Sequence, residues 1–195
     1  MSLHAELVDA PTALTTLADD WRALAVRQGS AFLTPEWCRA WLEHPGRGEA
    51  FVVAVRDDRG DVAGLLPLCR EGREVRFLGS ELGDRFEPLA APGLDLEVTA
   101  AAAALLGRHR GDALLLRNVD EDAAWVAAFA RAWPGTLTRT RVRGNVLPYV
   151  TLAGTTWDAF LQARSRNFRN QVGRKERNLV RDHGARFRMA DDPAT

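Results

Sequence analysis

Residues 51–70 read FVVAVRDDRGDVAGLLPLCR. From Phe51 to Val55 both alternating sets of side chains are apolar, Phe51, Val53 and Val55 against Val52 and Ala54. A strand patterned in that way suits a sheet covered on both faces. Asp57, Asp58, Arg59, Gly60 and Asp61 then carry the residue types of a hairpin turn, and the return strand runs from Val62 to about Arg70. Pro67 lies inside the return strand. Because proline donates nothing to a ladder, an edge position or a bulge is expected there.

Upstream of the hairpin, Leu3 to Val8 is a short candidate strand that ends at Pro11. Leu14, Leu17, Trp21 and Leu24 recur at helical spacing and predict one helix from about 12 to 27, stopped by Gly29. Thr34 before Pro35 is an N-cap followed by a first-turn proline, so a second helix starts there with Trp37 and Trp41 on its buried side and stops at Pro45 and Gly46. Downstream, Val75 to Leu78 is a third strand of the meander. A polar loop from Gly79 to about Asp95 follows, then an alanine-rich helix over 96–107. Asp112 to Asn118 reads as a buried strand, Glu121 to Trp133 as a helix, and Thr136 to Leu152 as two strands broken near Gly144 and Asn145. The order is β-α-α-β-β-β-α-β-α-β-β, an α/β (α+β) chain with a mixed central sheet. No repeat of fixed period is present.

Of 195 residues, 46% are hydrophobic and 27% charged, which is globular composition and excludes disorder for most of the chain. A formal net charge of zero gives the whole molecule no long-range pull on polyanions. Cys38 and Cys69 have no Cys or His at ligand spacing and read as small core residues, so no metal is expected. The amino terminus has no leader-like pattern and no window is apolar enough to span a bilayer, which predicts a cytoplasmic protein without a membrane segment. His4, His44, His109 and His183 all fall near predicted element ends.

The element order matches the GNAT acyltransferase fold. The segments Phe32-Leu33-Thr34-Pro35-Glu36-Trp37, Gly64-Leu65-Leu66-Pro67-Leu68, Phe77-Leu78-Gly79-Ser80 and Ser165-Arg166-Asn167-Phe168-Arg169-Asn170 resemble the CelD/BcsL-type group of that superfamily, a BioF2-like acyltransferase family related to the FemAB-like ligases. The resemblance implies two tandem GNAT domains joined by a long helix. On that pattern residues 1–153 are the first domain, 154–184 the connecting helix and 185–195 the opening of a second domain, with Ala185 to Met189 its first strand. The ending Asp191-Asp192-Pro193-Ala194-Thr195 carries no helix stop or finished sheet, and the chain is read as truncated. The resemblance also implies acetyl or acyl transfer from acetyl-CoA or another acyl-CoA to an amine or hydroxyl, with a small-molecule or saccharide acceptor in cellulose or exopolysaccharide biosynthesis.

A GNAT domain holds the coenzyme diphosphate on backbone N–H groups of a Q/R-x-x-G-x-G/A loop after its fourth strand. Here Arg76, Gly79 and Glu81 give R-x-x-G-x-E. A carboxylate replaces the last small residue, the loop is acidic through Glu81, Asp84 and Glu87, and Pro88 and Pro92 remove two donors. A second match, Arg108, Gly111 and Ala113, lies after a helix rather than before one, so Gly111 reads as a helix stop. No cofactor site is therefore expected in this half, and the coenzyme belongs to the full-length protein. Asp84 is either a turn acid or a carboxylate that orients the acceptor.

From Gln162 to Arg181 there are seven cations (Arg164, Arg166, Arg169, Arg174, Lys175, Arg177, Arg181) against the one acid Glu176, so this stretch carries +6 and the rest of the chain −6. Trp157, Leu161, Phe168, Val172 and Leu179 form a heptad-like stripe that would pack on a neighbouring domain, and Gly173 weakens the helix or permits close packing. Arg166, Arg169, Arg177 and Arg181 share a face that could meet a diphosphate, a nucleic-acid backbone or an acidic surface. Asp84, Arg166 and Arg169 are the candidate substrate-binding residues, and the loop 79–95 and the start of the connecting helix are expected to line one acceptor cleft. The catalytic residues are not read from the sequence. Two other functions stay open, a FemAB-like aminoacyl-tRNA-dependent or nucleic-acid-contacting module and a structural half-domain. The interleaved aromatics, Phe168 and Phe187, are too few for a stacking platform and count against nucleic acid.

Overall fold

The computed structural model describes residues 2–44, 48–108, 113–120, 122–135, 150–151 and 153–186. The chain divides into two compact units, Met1–Gly144 and Asn145–Thr195. Among the described residues, the first unit holds a six-stranded mixed sheet with β1 (His4–Asp9), β2 (Glu49–Arg56), β3 (Val62–Glu71), β4 (Glu74–Phe77), β5 (Leu89–Ala90) and β6 (Ala113–Leu114). Its helices are α1 (Ala10–Thr16), α2 (Ala18–Gln28), α3 (Pro35–Glu43), α4 (Asp95–Leu106) and α5 (Ala124–Ala132), with a 3-10 turn at Ala31–Leu33. The sheet order is β1-β2-β3-β4-β6, with β5 paired to β3. All neighbours are antiparallel except β4 and β6, which run parallel.

The double-sided apolar pattern of β2 has its expected consequence. Phe51 to Val55 are all buried, and residues on both faces of the strand are covered. α4 lies across β1, β2 and β3, α1 against β2, and α2 against β3 and β5. The turn forms over residues 57–61. One carboxylate oxygen of Asp57 accepts from the N–H groups of Arg59 and Asp61, at 2.9 and 3.0 Å.

Pro67 stands in the middle of the sheet, where an edge or a bulge was expected. It faces Val52 in regular register, and the one irregularity between β2 and β3 is at Val55/Arg56. The reason is that the other edge of β3 is shared. β5 covers Gly64 and Leu65, β4 covers Leu68 to Glu71, and Leu66 and Pro67 fall between the two partners. The missing N–H thus points where no strand presents an acceptor, while the Pro67 carbonyl still accepts from Leu78 N at 3.1 Å. Gly64 has a different cause. A Cβ there would stand 2.4 Å from Val98 Cγ1 and 2.6 Å from Leu89 O, so α4 and β5 approach only because it is glycine.

Three further expectations are corrected. The single helix over 12–27 is two helices. Thr15 and Thr16 turn their hydroxyls back onto the carbonyls of Pro11 and Thr12 at 3.0 and 2.9 Å, a competition that bends helices, and Leu17 leaves helical geometry with φ −120° and ψ 4°. The loop 79–95 contains β5, too short to show a period. The stretch 113–118 pairs only at Glu74 and Val75 and is exposed to half-buried rather than buried. Gly29 and the Thr34–Pro35 helix start behave as read. Gly29 has φ 70°, and the Thr34 side chain accepts from Trp37 N. The stop at Pro45 and Gly46, the strands over 136–152 and the strand from Ala185 to Met189 lie wholly or mostly outside the described residues.

The second unit contains α6 (Trp157–Gln162) and α7 (Arg166–His183), where one continuous connecting helix was expected. Ser165 supplies the break, because its side chain accepts from Phe168 N and starts a new helix. Gly184, with φ 59°, stops α7. Within α6 Trp157 stacks on Phe160 at 5.6 Å between ring centroids, and across the break Phe168 meets Phe160 edge-on at 6.4 Å.

Candidate functional site

Beyond Val75 the parallel strands β4 and β6 are no longer paired, although Leu115 N still reaches Val75 O at 2.8 Å. A parting between parallel strands at a switch point is where an open sheet ordinarily admits a ligand. In this chain the residues after β4 occupy it themselves. Asn118, with φ 55°, donates from Nδ2 to the carbonyls of Ser80 and Gly83 at 2.9 and 2.7 Å, and its own carbonyl accepts from Phe86 N at 2.9 Å. Phe86 stacks on Phe77 at 5.6 Å, and Trp125 of α5 meets the other ring edge-on at 6.2 Å.

Three of the loop's N–H groups are used locally. Ser80 N donates to Phe77 O, and both Leu82 N and Gly83 N donate to Gly79 O, at 2.9–3.1 Å. Gly79 has φ 72°, and a Cβ on it would stand 2.6 Å from Trp37 Nε1, so its conformation and its closeness to α3 both require glycine. Glu81 is tied into the same assembly, because Trp41 Nε1 donates to Glu81 Oε1 at 3.4 Å and Arg76 Nε lies 3.9 Å from Glu81 Oε2. Arg76 also holds Glu71 at 2.8 Å. Four buried polar atoms of this region, Trp37 Nε1, Arg76 Nε, Ser80 Oγ and Trp125 Nε1, have no hydrogen-bond partner among the described residues.

Asp84 projects from the tip of this loop, exposed. Arg166 and Arg169 are in the second unit, one turn apart at the start of α7. Arg166 is exposed, whereas Arg169 donates from Nη1 to the carbonyls of Arg164 and Gln162, at 2.5 and 3.3 Å, and so caps the end of α6. Of the four arginines read as one face, Arg181 is also engaged, with Asp182 at 2.6 Å. Asn118 was missed as a candidate. Its signal, an asparagine in left-handed backbone, exists only in three dimensions.

Cys38 and Cys69 are buried as core residues, and burial pushes the Cys38 thiol up to about 12 and raises that of Cys69. His4 begins β1, His44 follows α3 with Nδ1 2.8 Å from Ala40 O, and His183 ends α7. His109 and Gly111 lie outside the described residues. Among the described residues no group of three or more His, Cys, Asp or Glu is placed to hold a metal, and no helix is long and apolar enough to cross a membrane. An open groove of about 420 Å³ between α4 and α5 has an alanine floor (Ala100, Ala128, Ala132) with Glu97 and Arg131 beside it, and no polar groups converge in it.

No protein-family model, curated protein or solved structure matches the chain.

Proposed function

We propose that the chain is the amino-terminal half of a two-domain GNAT-type acyltransferase of the CelD/BcsL kind, acting in the full-length protein on an acyl-CoA and an amine or hydroxyl acceptor. The observation that carries this reading is the change of strand direction at β4. Four antiparallel strands in the order β1-β2-β3-β4 are followed by a helix and a parallel neighbour, β6. That arrangement agrees with a GNAT sheet. The acceptor would attack the thioester carbonyl directly as a carboxylate or a water chain takes its proton, and the C–S bond would then break, coenzyme A leaving as the thiol once its sulfur is protonated.

In this half Ser80, Leu82 and Gly83 of the loop that would hold a diphosphate donate their N–H groups to the carbonyls of Phe77 and Gly79, and the loop carries Glu81, so the coenzyme is assigned to the other half. Calorimetry tests the assignment. Acetyl-CoA should bind the full-length protein, and should not bind this chain with a Kd below about 100 μM, roughly −5.5 kcal/mol. Tight binding by the chain alone overturns it.

The same internal satisfaction also favours a second reading, a half that only supports its partner. Asp84 separates the two. If it orients the acceptor, Asp84→Asn in the full-length protein lowers kcat/KM by about tenfold or more, about 1.4 kcal/mol, with the melting temperature unchanged. An unchanged kcat/KM leaves Asp84 a turn acid and favours the supporting role.

A further inference from the structure

At ~100° per residue, Phe168, Val172 and Leu179 of α7 lie within about 40° of one another, while Arg166, Arg174, Arg177 and Arg181 span about 80° on the opposite side. No acid falls within the arginine sector; Glu176 and Asp182 lie outside it. The apolar side is open to solvent. Phe168 and Leu179 are each 42% exposed, and Trp157 on α6 is 58% exposed. The aromatic cluster of Trp157, Phe160 and Phe168 therefore shares one side with Val172 and Leu179; Trp157, Phe168 and Leu179 are exposed, Phe160 and Val172 half-buried, and Lys175 lies among them on a helix whose charge is strongly positive.

We infer that α6 and α7 form a peripheral membrane-binding element, lying in the interface of an anionic bilayer with the aromatic edge inserted and the arginines on the water-facing side, drawn to the anionic headgroups through space. Three partners compete for such a helix, and the two opposed sides decide between them. A phosphodiester polymer would use the arginines and leave the aromatic edge in water. A protein docked on the apolar edge would make no use of Arg166, Arg174 and Arg177. An anionic lipid surface takes the apolar edge by insertion and attracts the charge of the other side through space, which is the usual composition of an in-plane helix. The arginines need not touch the surface directly. A helix is about 10 Å across, close to the ~8 Å Debye length of physiological salt, and long arginine stems shorten the gap. Trp157 and Phe160 supply the amphipathic rings that interfaces favour. This inference does not depend on acyl transfer.

Co-sedimentation of the chain with sucrose-loaded vesicles tests it, using phosphatidylcholine alone and phosphatidylcholine with about one-third phosphatidylglycerol. Binding is expected to the anionic vesicles only, and to fall as salt rises. Leu179→Ser, which touches no ring, and Phe168→Ser should each weaken binding several-fold. Arg174→Gln and Arg177→Gln should each weaken binding by less than about fivefold, since ~1 kcal/mol per cation holds at the surface and fades within a Debye length. Thermal melts of every variant check that the fold is retained. No binding at low salt overturns the proposal. So does binding of a single-stranded or duplex oligonucleotide that depends on Arg174 and Arg177 but ignores Leu179. Self-association abolished by Leu179→Ser without vesicle binding likewise overturns it, in favour of a second copy of the chain.

Discussion

β2 and α7 are held by different forces. Every residue of β2 from Ala50 to Val55 is buried, whereas no residue of α7 is. The strand owes its place to apolar area removed from water on two faces. The helix owes its form to local devices: the Ser165 cap, the Gly184 stop and one exposed aromatic contact. Positional identity should therefore matter through volume in the first unit and through backbone propensity in the second.

The largest effect should come from the core. Phe77 is fully buried between Phe86 and Trp125, and Phe77→Ala should cost about 3–5 kcal/mol in urea unfolding. A loss below about 1 kcal/mol would break the contrast, since it would mean that the core is loosely packed.

Effects of opposite sign should come from α7. Ser165→Ala removes the cap and should lower its helicity by about 1 kcal/mol of helix stability. Gly173→Ala should raise it by a similar amount, because the new Cβ meets only the mobile end of Arg177, at 3.3 Å. Both are read from circular dichroism at 222 nm, with the main urea transition unmoved. Among the described residues, Arg177 Nη1 alone comes within 4 Å of that Cβ.

The smallest effect is set by pH. The backbone N–H of Thr12 and then its side chain hold Asp9 below its ordinary carboxylate range. A depressed acid contributes stability above its unfolded pKa and loses it as pH falls through the folded one, so the contribution should fade below about pH 4. Asp9→Asn should keep the cap and flatten that part of the acid melting curve. An unchanged curve would remove Asp9 from the account.

What could be read in advance follows the same division. Continuous apolar runs bounded by turn residues located β2 and β3, and caps, spaced aromatics and an alanine-rich run located α3, α4 and α5, because such signals are local. The break at Leu17 was hidden by a stripe that continues through it in sequence; only the back-bonded hydroxyls of Thr15 and Thr16 reveal it. The break at Ser165 was hidden likewise, by the heptad spacing from Trp157 to Leu179. In the candidate site, Glu81 was legible as a misfit for phosphate, but not its ties to Trp41 and Arg76, which join residues far apart in the chain. Asn118 had no sequence signal, and Arg169 looked free because its acceptors are backbone carbonyls.

Pro67 bears on the chain before it folds. Because its nitrogen faces the interval between β4 and β5, a valine there would gain a donor with no ladder to join. The ring restricts the unfolded strand without straining the folded one, an effect worth about 0.4–1 kcal/mol that no contact in the native sheet records. It also lowers the number of registers in which β3 can pair wrongly, since a shifted partner strand that presents an acceptor opposite residue 67 finds no proton to take.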